Sequence, residues 1–376
     1  MSLNVGIVTE YYYPLLGGIS ENVHHTATEL QARGHDVTII TSRPPANGVA
    51  HLPVPNGVRT VHVGRGIAFS ANGAQANATI GGVQLWKDLR TALREQRFDI
   101  LQLHSPLNFT LPALAALQGP APRVGTFHSY FDRSLAYALL KGVLQREFLG
   151  RLDGVTVVSP SVDLALSRYF EFQARVIPNG VDLTAFHPDV PRFERFGPDK
   201  RTLLFLGRFD PRNGLPFMLR TFTEVRRHVD DVRLVVVGSG GNVDEYLKLV
   251  PDRLRSDVHF EGPALLERPR YYATADVFCS PISKASFGIT LLESMATGTP
   301  IVATENIGYR DLLGAEESVL VPYDEARFAG AIVDLLGDDR RRRDMGEAGR
   351  RKAARYAWPV VVSSLLDYFH QILSHA

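Results

Sequence analysis

Within its first forty or so residues the sequence sets an apolar run, "NVGIVTE", a polar-apolar segment, "SENVHHTATELQARGH", and a second apolar run, "DVTIITS". Strand, helix, strand at this spacing is a βαβ unit. Parallel strands joined by a helix need a sheet covered by helices on its faces, which removes all-β and all-α folds from consideration. Ser20 stands where it can cap the helix, Glu21 lies in the first turn, and Gly34 falls just past the end. Further strands are expected at "VRTVHVG", "DILQLHS", "RVGTFHS", "GVTVVSP" and "ARVIPNG". Their Val/Ile/Leu runs fit strands buried on both faces.

A second series starts near residue 200. The apolar runs "TLLFLGRF", "VRLVVVGSG", "VHFEG", "VFCSPIS" and "PIVATE" are separated by the helical segments "LPFMLRTFTEVRRHV", "VDEYLKLV", "LLERPRYYATA" and "TLLESMATG". Two open α/β sheets in succession are the simplest reading, and 376 residues are enough for two full cores. The break falls in "NGVDLTAFHPDVPRFERFGPDK", rich in Pro, Gly and charge. We take residues 1–185 as the first domain and 186–358 as the second. The final "WPVVVSSLLDYFHQILSHA" has apolar residues at helical spacing and is expected to dock as a helix that covers core. The basic segment "DDRRRRDMGEAGRRKAARY", with Asp and Glu interleaved, reads as a solvated helical face.

The remaining composition narrows the function classes. A formal net charge of +1 gives no global field for nucleic acid. The single cysteine, Cys279, excludes an internal disulfide framework and sits in an apolar run as a small buried hydrophobe. The amino terminus reads as a first strand and not as a signal peptide, and no run of about 18 apolar residues marks a membrane span. The cytoplasm is the default location.

Ligands of open α/β sheets bind beyond the carboxyl ends of the strands, so the residues that follow each strand are the candidates. After the first strand, "YYYPLLGGIS" brings Gly17, Gly18 and the amide of Ile19 to a helix start. Such a place suits a pyrophosphate or sugar, and also an ordinary glycine loop. In "LFLGRFDPRNG", Arg208 ends a buried strand, where a charge is costly unless it meets an anion. It either neutralises a diphosphate or makes an interdomain ion pair, and Arg212 follows on the same loop. In "SKASFGITLLESMATGTPIVAT", Gly288, Ile289 and Thr290 lead into a helix whose free amides can hold phosphate. Glu293, expected on its first turn, either accepts ribose hydroxyls or stabilises the helix dipole. In "VGTFHSYF", His128 ends a strand and can meet a sugar hydroxyl or serve a structural role. His104 in "LQLHSP" is the weaker candidate of the same kind. No Walker-type phosphate loop, spaced dinucleotide fingerprint, nucleophile elbow or metal-spaced His/Asp/Glu cluster is present.

Together these stretches resemble the retaining glycosyltransferases of the family-4, GT-B type. The resemblance runs over nearly the whole chain, with "IPNGVD" and "FGITLLESMATGTPIVAT" its most specific parts. It looks most like the phosphatidylinositol mannosyltransferases. The resemblance implies two Rossmann-like domains facing across a cleft, with the last helix, residues 359–376, crossing back to the first. It implies a hexose donor linked to GDP or UDP in the second domain, a lipid or saccharide acceptor on the first, and no obligatory metal. By position it puts Gly18 near the donor phosphates, His128 near the transferred sugar and Arg208 at the diphosphate. It puts Glu293 at the ribose, the Ile289 and Thr290 amides at the phosphates, and Gly238 and Pro263 near the nucleoside.

Two positions depart from the family pattern. Asn213 stands where the family has a Lys, leaving Arg212 to reach the same phosphate. Ala285 stands where the family has the first of two Glu residues spaced eight apart, a residue that binds the transferred sugar. Adjacent Lys284 could serve a different or acidic sugar. The departures keep a catalytically weak homologue that binds a nucleotide or a partner as the alternative. A nucleotide-sugar epimerase lacks its expected acid and base carboxylates here. A lipid acceptor would suit "FDRSLAYALLKGVLQREFLGRLDG", with Leu135, Leu139, Leu140, Val143, Leu144 and Phe148 beside Arg133, Lys141, Arg146 and Arg151. That segment reads either as a helix packed on the sheet or as an interfacial helix giving peripheral contact at the inner face of the cell membrane.

Overall fold

The structure is a computed structural model that describes residues 2–15, 17–44, 57–71, 74–108 and 110–375. The chain forms two compact units, Met1–Asn179 with Trp358–Ala376, and Gly180–Ala357. The second unit begins at Gly180, ahead of the Pro-rich stretch around residue 186. The reason is local: Val181 already pairs as a parallel bridge with Ala357, and its N–H donates to the Tyr356 carbonyl at 2.8 Å.

The first unit runs β1 (Asn4–Val8), α1 (Gly18–Ala32), β2 (Asp36–Arg43), β3 (Arg59–Ala71), β4 (Ala74–Ile80), α2 (Gly82–Glu95), β5 (Ile100–His104), α3 (Leu111–Gln118), β6 (Arg123–Phe127), α4 (Leu135–Glu147), β7 (Gly154–Val157), α5 (Pro160–Ser167) and β8 (Ala174–Val176). Its sheet has the order β4-β3-β2-β1-β5-β6-β7-β8, and among the described residues β4 alone pairs antiparallel. The order reverses between β1 and β5, the kind of switch point where crossovers part and leave a crevice. Val8, Ile40, Leu101 and Leu103 from the central strands pack with Leu89 and Leu93 of α2 and Leu111 of α3. β4 lies at the edge, and its sequence, "AQANATI", has too little apolar content to announce a strand.

The second unit runs β9 (Arg201–Leu206), α6 (Leu215–Val225), β10 (Val232–Val237), α7 (Val243–Leu247), β11 (Val258–Phe260), α8 (Arg268–Thr274), β12 (Val277–Ser280), α9 (Ile289–Thr297), β13 (Ile301–Thr304), α10 (Ile307–Leu312), β14 (Ser318–Val321), α11 (Glu325–Leu336) and α12 (Asp339–Ala353). All of its strands are parallel, in the order β11-β10-β9-β12-β13-β14, with the switch point between β9 and β12. Cys279 is buried in β12, and burial pushes its thiol pKa up, so it behaves as a hydrophobe.

The last helix, α13 (Trp358–Leu373), belongs to the first unit and packs on α1. His25 stacks on Trp358 at 5.2 Å between centroids, and Arg33 donates to Ser363 Oγ and the Pro359 carbonyl. The Tyr368 hydroxyl accepts from the Val155 N–H at 3.1 Å, tying the helix to β7.

Three local expectations change. Ser20 does not cap α1: the helix starts at Gly18 with Gly17 as cap, and the Ser20 hydroxyl instead donates to the Leu15 carbonyl at 2.6 Å. The basic segment is not solvated throughout. Arg342 is buried and donates to the Leu335 and Leu336 carbonyls, 2.6 Å each, satisfying the open end of α11. Nor is α4 a packed sheet helix. Leu135 and Leu139 are each 75% exposed and Val143 51%, while Leu144 alone on this helix is buried.

Candidate functional site

The second unit gathers most of the candidates at its switch point. β9 ends at Leu206, two residues before Arg208, so Arg208 stands on the loop and not in the strand. Its guanidinium pairs with Asp210 at 3.0 Å within the same loop. Asn213 has a structural role: its side-chain amide donates to the Arg208 carbonyl at 2.7 Å and shapes the turn. Arg212 is held below the ordinary guanidinium pKa by desolvation and then by the like charge of Arg208, with Asp210 opposing. Two cations thus converge on one short loop, an arrangement that favours an anion.

Two neighbouring loops are locked to this one. Gly238, just past β10, has φ 147°, and a Cβ there would lie 1.9 Å from the Gly207 carbonyl oxygen, so only glycine fits. Its N–H donates to the Gly262 carbonyl at 2.8 Å, which brings exposed Pro263 alongside. On the other side, Gly214 is left-handed, with φ 77°, and presses against the Pro281 carbonyl. The Ser283 N–H and hydroxyl both donate to the Arg212 carbonyl, at 3.1 and 3.3 Å. The segment with Lys284 and Ala285 is therefore fastened to the arginine loop. Thr304 Oγ1 and Asn306 Nδ2 fasten it from below, both donating to the Ile282 carbonyl, at 2.7 and 2.9 Å.

Gly288 is the cap of α9 and has no side chain to offer the first amides, those of Ile289 and Thr290. A helix start of this kind suits an anion, and the segment that leads into it is the one Ser283 fastens to the arginine loop. Glu293 does not lie on the first turn of α9, which carries no acidic residue; it sits one turn further along and is buried. Its role as a dipole anchor is thereby removed. The Arg268 guanidinium meets Oε1 at 2.9 Å and the Tyr272 hydroxyl donates to Oε2 at 2.9 Å. Burial, and then the Glu293 charge, push the Tyr272 pKa well up, so it remains a neutral donor. Neither Arg268 nor Tyr272 is evident from the sequence, where "LLERPRYYATA" looks like any amphipathic helix.

The first unit holds a second group at its own switch point. Gly17 and Gly18 are exposed at the start of α1, Ile19 is half-buried, and Gly17 makes no side-chain cap bond. Glu10, two residues past β1, is buried. It accepts from the Thr79 hydroxyl and from the Leu111 N–H at the head of α3, and desolvation raises its pKa. Its one signal in the sequence is an acid placed just after a buried strand. His104 ends β5 and His128 follows β6; both are buried, and His104 Nδ1 lies 2.7 Å from His128 Nε2. Desolvation lowers the His128 pKa to about 3 and holds that of His104 well below its ordinary value, so both rings are neutral near pH 7. Ser105, next to His104, has φ 57°, an uncommon left-handed conformation for a residue other than glycine.

Residues 16–185 match the family model described as Glycosyltransferase Family 4, and residues 200–338 match that described as Glycosyl transferases group 1. A phosphatidyl-myo-inositol mannosyltransferase of Mycolicibacterium smegmatis is 31% identical over 98% of this chain and 94% of its own. Among solved structures, a sucrose-phosphate synthase from Thermosynechococcus elongatus superposes with a TM-score of 0.77 at 21% identity, covering 100% of both chains. The Anabaena protein HepE, solved with UDP-glucose, has a TM-score of 0.76 at 14% identity, over 98% of this chain and 100% of that one.

Proposed function

The chain belongs to glycosyltransferase family 4 and is a glycosyltransferase, and from that premise we propose that it moves a hexose from a nucleotide-diphosphate sugar to a lipid or saccharide acceptor, with retention of configuration and without an obligatory metal. One observation carries the donor reading: Arg208 and Arg212 share a loop that is fastened through Ser283 to the segment leading into the glycine-capped start of α9. Guanidinium groups and helix amides are what a departing diphosphate requires, because they stabilise charge as it develops. Glu293, oriented by Arg268 and Tyr272, accepts ribose hydroxyls. Gly238 and Pro263 flank the nucleoside, and Gly17, Gly18 and Ile19 contribute backbone at the phosphates. UDP-glucose bound to HepE is a precedent for this class of donor on the fold.

In the proposed reaction the bond from the anomeric carbon to the diphosphate oxygen breaks, and its electrons stay with that oxygen. The acceptor hydroxyl oxygen bonds the same carbon from the same face, and its proton passes to the leaving oxygen. Arg208 and Arg212 neutralise the diphosphate, and neutral His128 hydrogen-bonds the sugar. The first unit is the acceptor side. The mannosyltransferase relative's name points to a phosphatidylinositol acceptor. The exposed Leu135, Leu139 and Val143 with Lys141 suit peripheral contact with a membrane that carries such a lipid.

The test is a screen of nucleotide sugars by thermal shift, followed by transfer and hydrolysis assays of the best binder with and without a chelator. Turnover that survives chelation supports the reading; binding without turnover on any acceptor favours an inactive homologue, for which Ala285 is the motivating departure. Replacing Ala285→Glu tests donor choice, and an unchanged donor preference means that position does not read the sugar. Flotation with anionic liposomes tests the membrane contact, which absence of binding removes.

A further inference from the structure

We propose that His104 is a positioning residue that fixes the tautomer of His128, holding the His128 ring proton on Nδ1. The inference rests on the reading that His128 meets the transferred sugar, and adds which nitrogen of His128 is a donor.

The geometry comes first. The two rings are 14° from parallel with centroids 4.9 Å apart, yet His104 Nδ1 and His128 Nε2 are separated by only 2.7 Å. Atoms of rings stacked face to face rest about 3.5 Å apart. The rings therefore lie edge to edge, in the arrangement where an N–H of one points at the in-plane lone pair of the other. Both imidazoles are buried and neutral, so each carries one proton. One of the two facing nitrogens donates and the other accepts.

Which one donates follows from the far side of His104. Its Nε2 is buried and has no hydrogen-bond partner among the described residues. If His128 donated, His104 would carry its own proton on that Nε2, leaving a buried N–H with nothing to meet. Orphaned N–H groups are rarer in proteins than under-satisfied acceptors. The less costly arrangement leaves a bare lone pair there. His104 then carries its proton on Nδ1 and donates it to His128 Nε2. With Nε2 occupied as acceptor, the His128 proton must be on Nδ1, since the bond made by one ring nitrogen sets the state of the other. His128 so held can offer Nδ1–H to a sugar oxygen but has no basic nitrogen left at Nε2. Strained Ser105, adjoining His104 at the end of β5, fits a segment held in place for a site.

The tautomer is read directly from ring-nitrogen chemical shifts in the 15N-labelled full-length protein at pH 7. The expected spectrum has both His104 and His128 protonated on Nδ1. His104→Asn places an amide donor near the lost Nδ1 and should keep His128 in that state. His104→Leu should let it move to the Nε2–H form and lower kcat roughly tenfold, about one hydrogen bond's worth, with the donor KM little changed. A wild-type His128 protonated on Nε2 overturns the proposal whether or not any variant folds. So does a His128 tautomer that stays put in folded His104→Leu. His128→Ala separates the two layers: full activity in that variant removes the sugar-contact reading, while the tautomer spectrum alone decides the role of His104.

Discussion

The two units place their candidate residues at the same topological position but equip it oppositely. In the first, the carboxyl ends of β5 and β6 present two buried, neutral imidazoles bonded to each other. In the second, the ends of β9 and β12 present Arg208 and Arg212 on a loop fastened to the segment that leads into a glycine-capped helix start. Charge is cheap on a half-exposed loop and expensive in a core. The contrast matches chemistry in which a diphosphate leaves one partner and a neutral hydroxyl is engaged by the other.

The buried Arg268–Glu293 pair is the sharpest test of charge in the second unit. Arg268→Met should cost about 3 kcal/mol, because it leaves a buried carboxylate with its cation gone. Arg268→Met combined with Glu293→Gln should recover much of that loss in denaturant melts. Equal losses in the single and double variants would mean the pair is not coupled. Next is Arg208→Ala, expected to reduce turnover about a hundredfold, as loss of one donor to developing charge does. The same steady-state assay on Asn213→Ala should show a smaller loss, through the turn it braces.

The first unit should instead be sensitive to acid. The His128 pKa is lowered to about 3 in the fold, beneath the ordinary imidazole value of 6.5. Between those limits the unfolded chain binds a proton that the folded chain refuses. Stability is therefore complete above about pH 6.5 and declines as pH falls toward 3, by about 1.4 kcal/mol per pH unit for one such group. His104 acts in the same direction. Hydrogen exchange at pH 5 should show the first unit opening before the second, and His128→Phe should flatten the pH dependence. The smallest effect belongs to α4: Leu139→Asp should change stability by less than about 0.5 kcal/mol, since the side chain is exposed, and urea melts check this.

Much of this fold is legible from strand periodicity. Central strands are buried on both faces and leave dense apolar runs, whereas the edge strand β4 is poor in apolar residues. Arg208, Arg212 and the start of α9 are legible because they follow such runs directly. The partners of Glu293 are not, because Arg268 and Tyr272 come from α8, and only the tertiary fold brings them together. Glycine shows a similar limit. Gly238 looks like part of a generic "GSGG", and its necessity appears only against the Gly207 carbonyl. For α4 the apolar spacing misleads, since the same pattern serves a packed face or an exposed one.

In the proposed function the second unit holds the donor diphosphate through Arg208. Titration calorimetry of UDP and GDP into wild type, Arg208→Ala and His128→Ala tests it most directly. Arg208→Ala should weaken the better-bound nucleotide at least about tenfold, the scale of a charged hydrogen bond, while His128→Ala should leave nucleotide affinity unchanged. Wild-type affinity in folded Arg208→Ala would contradict it.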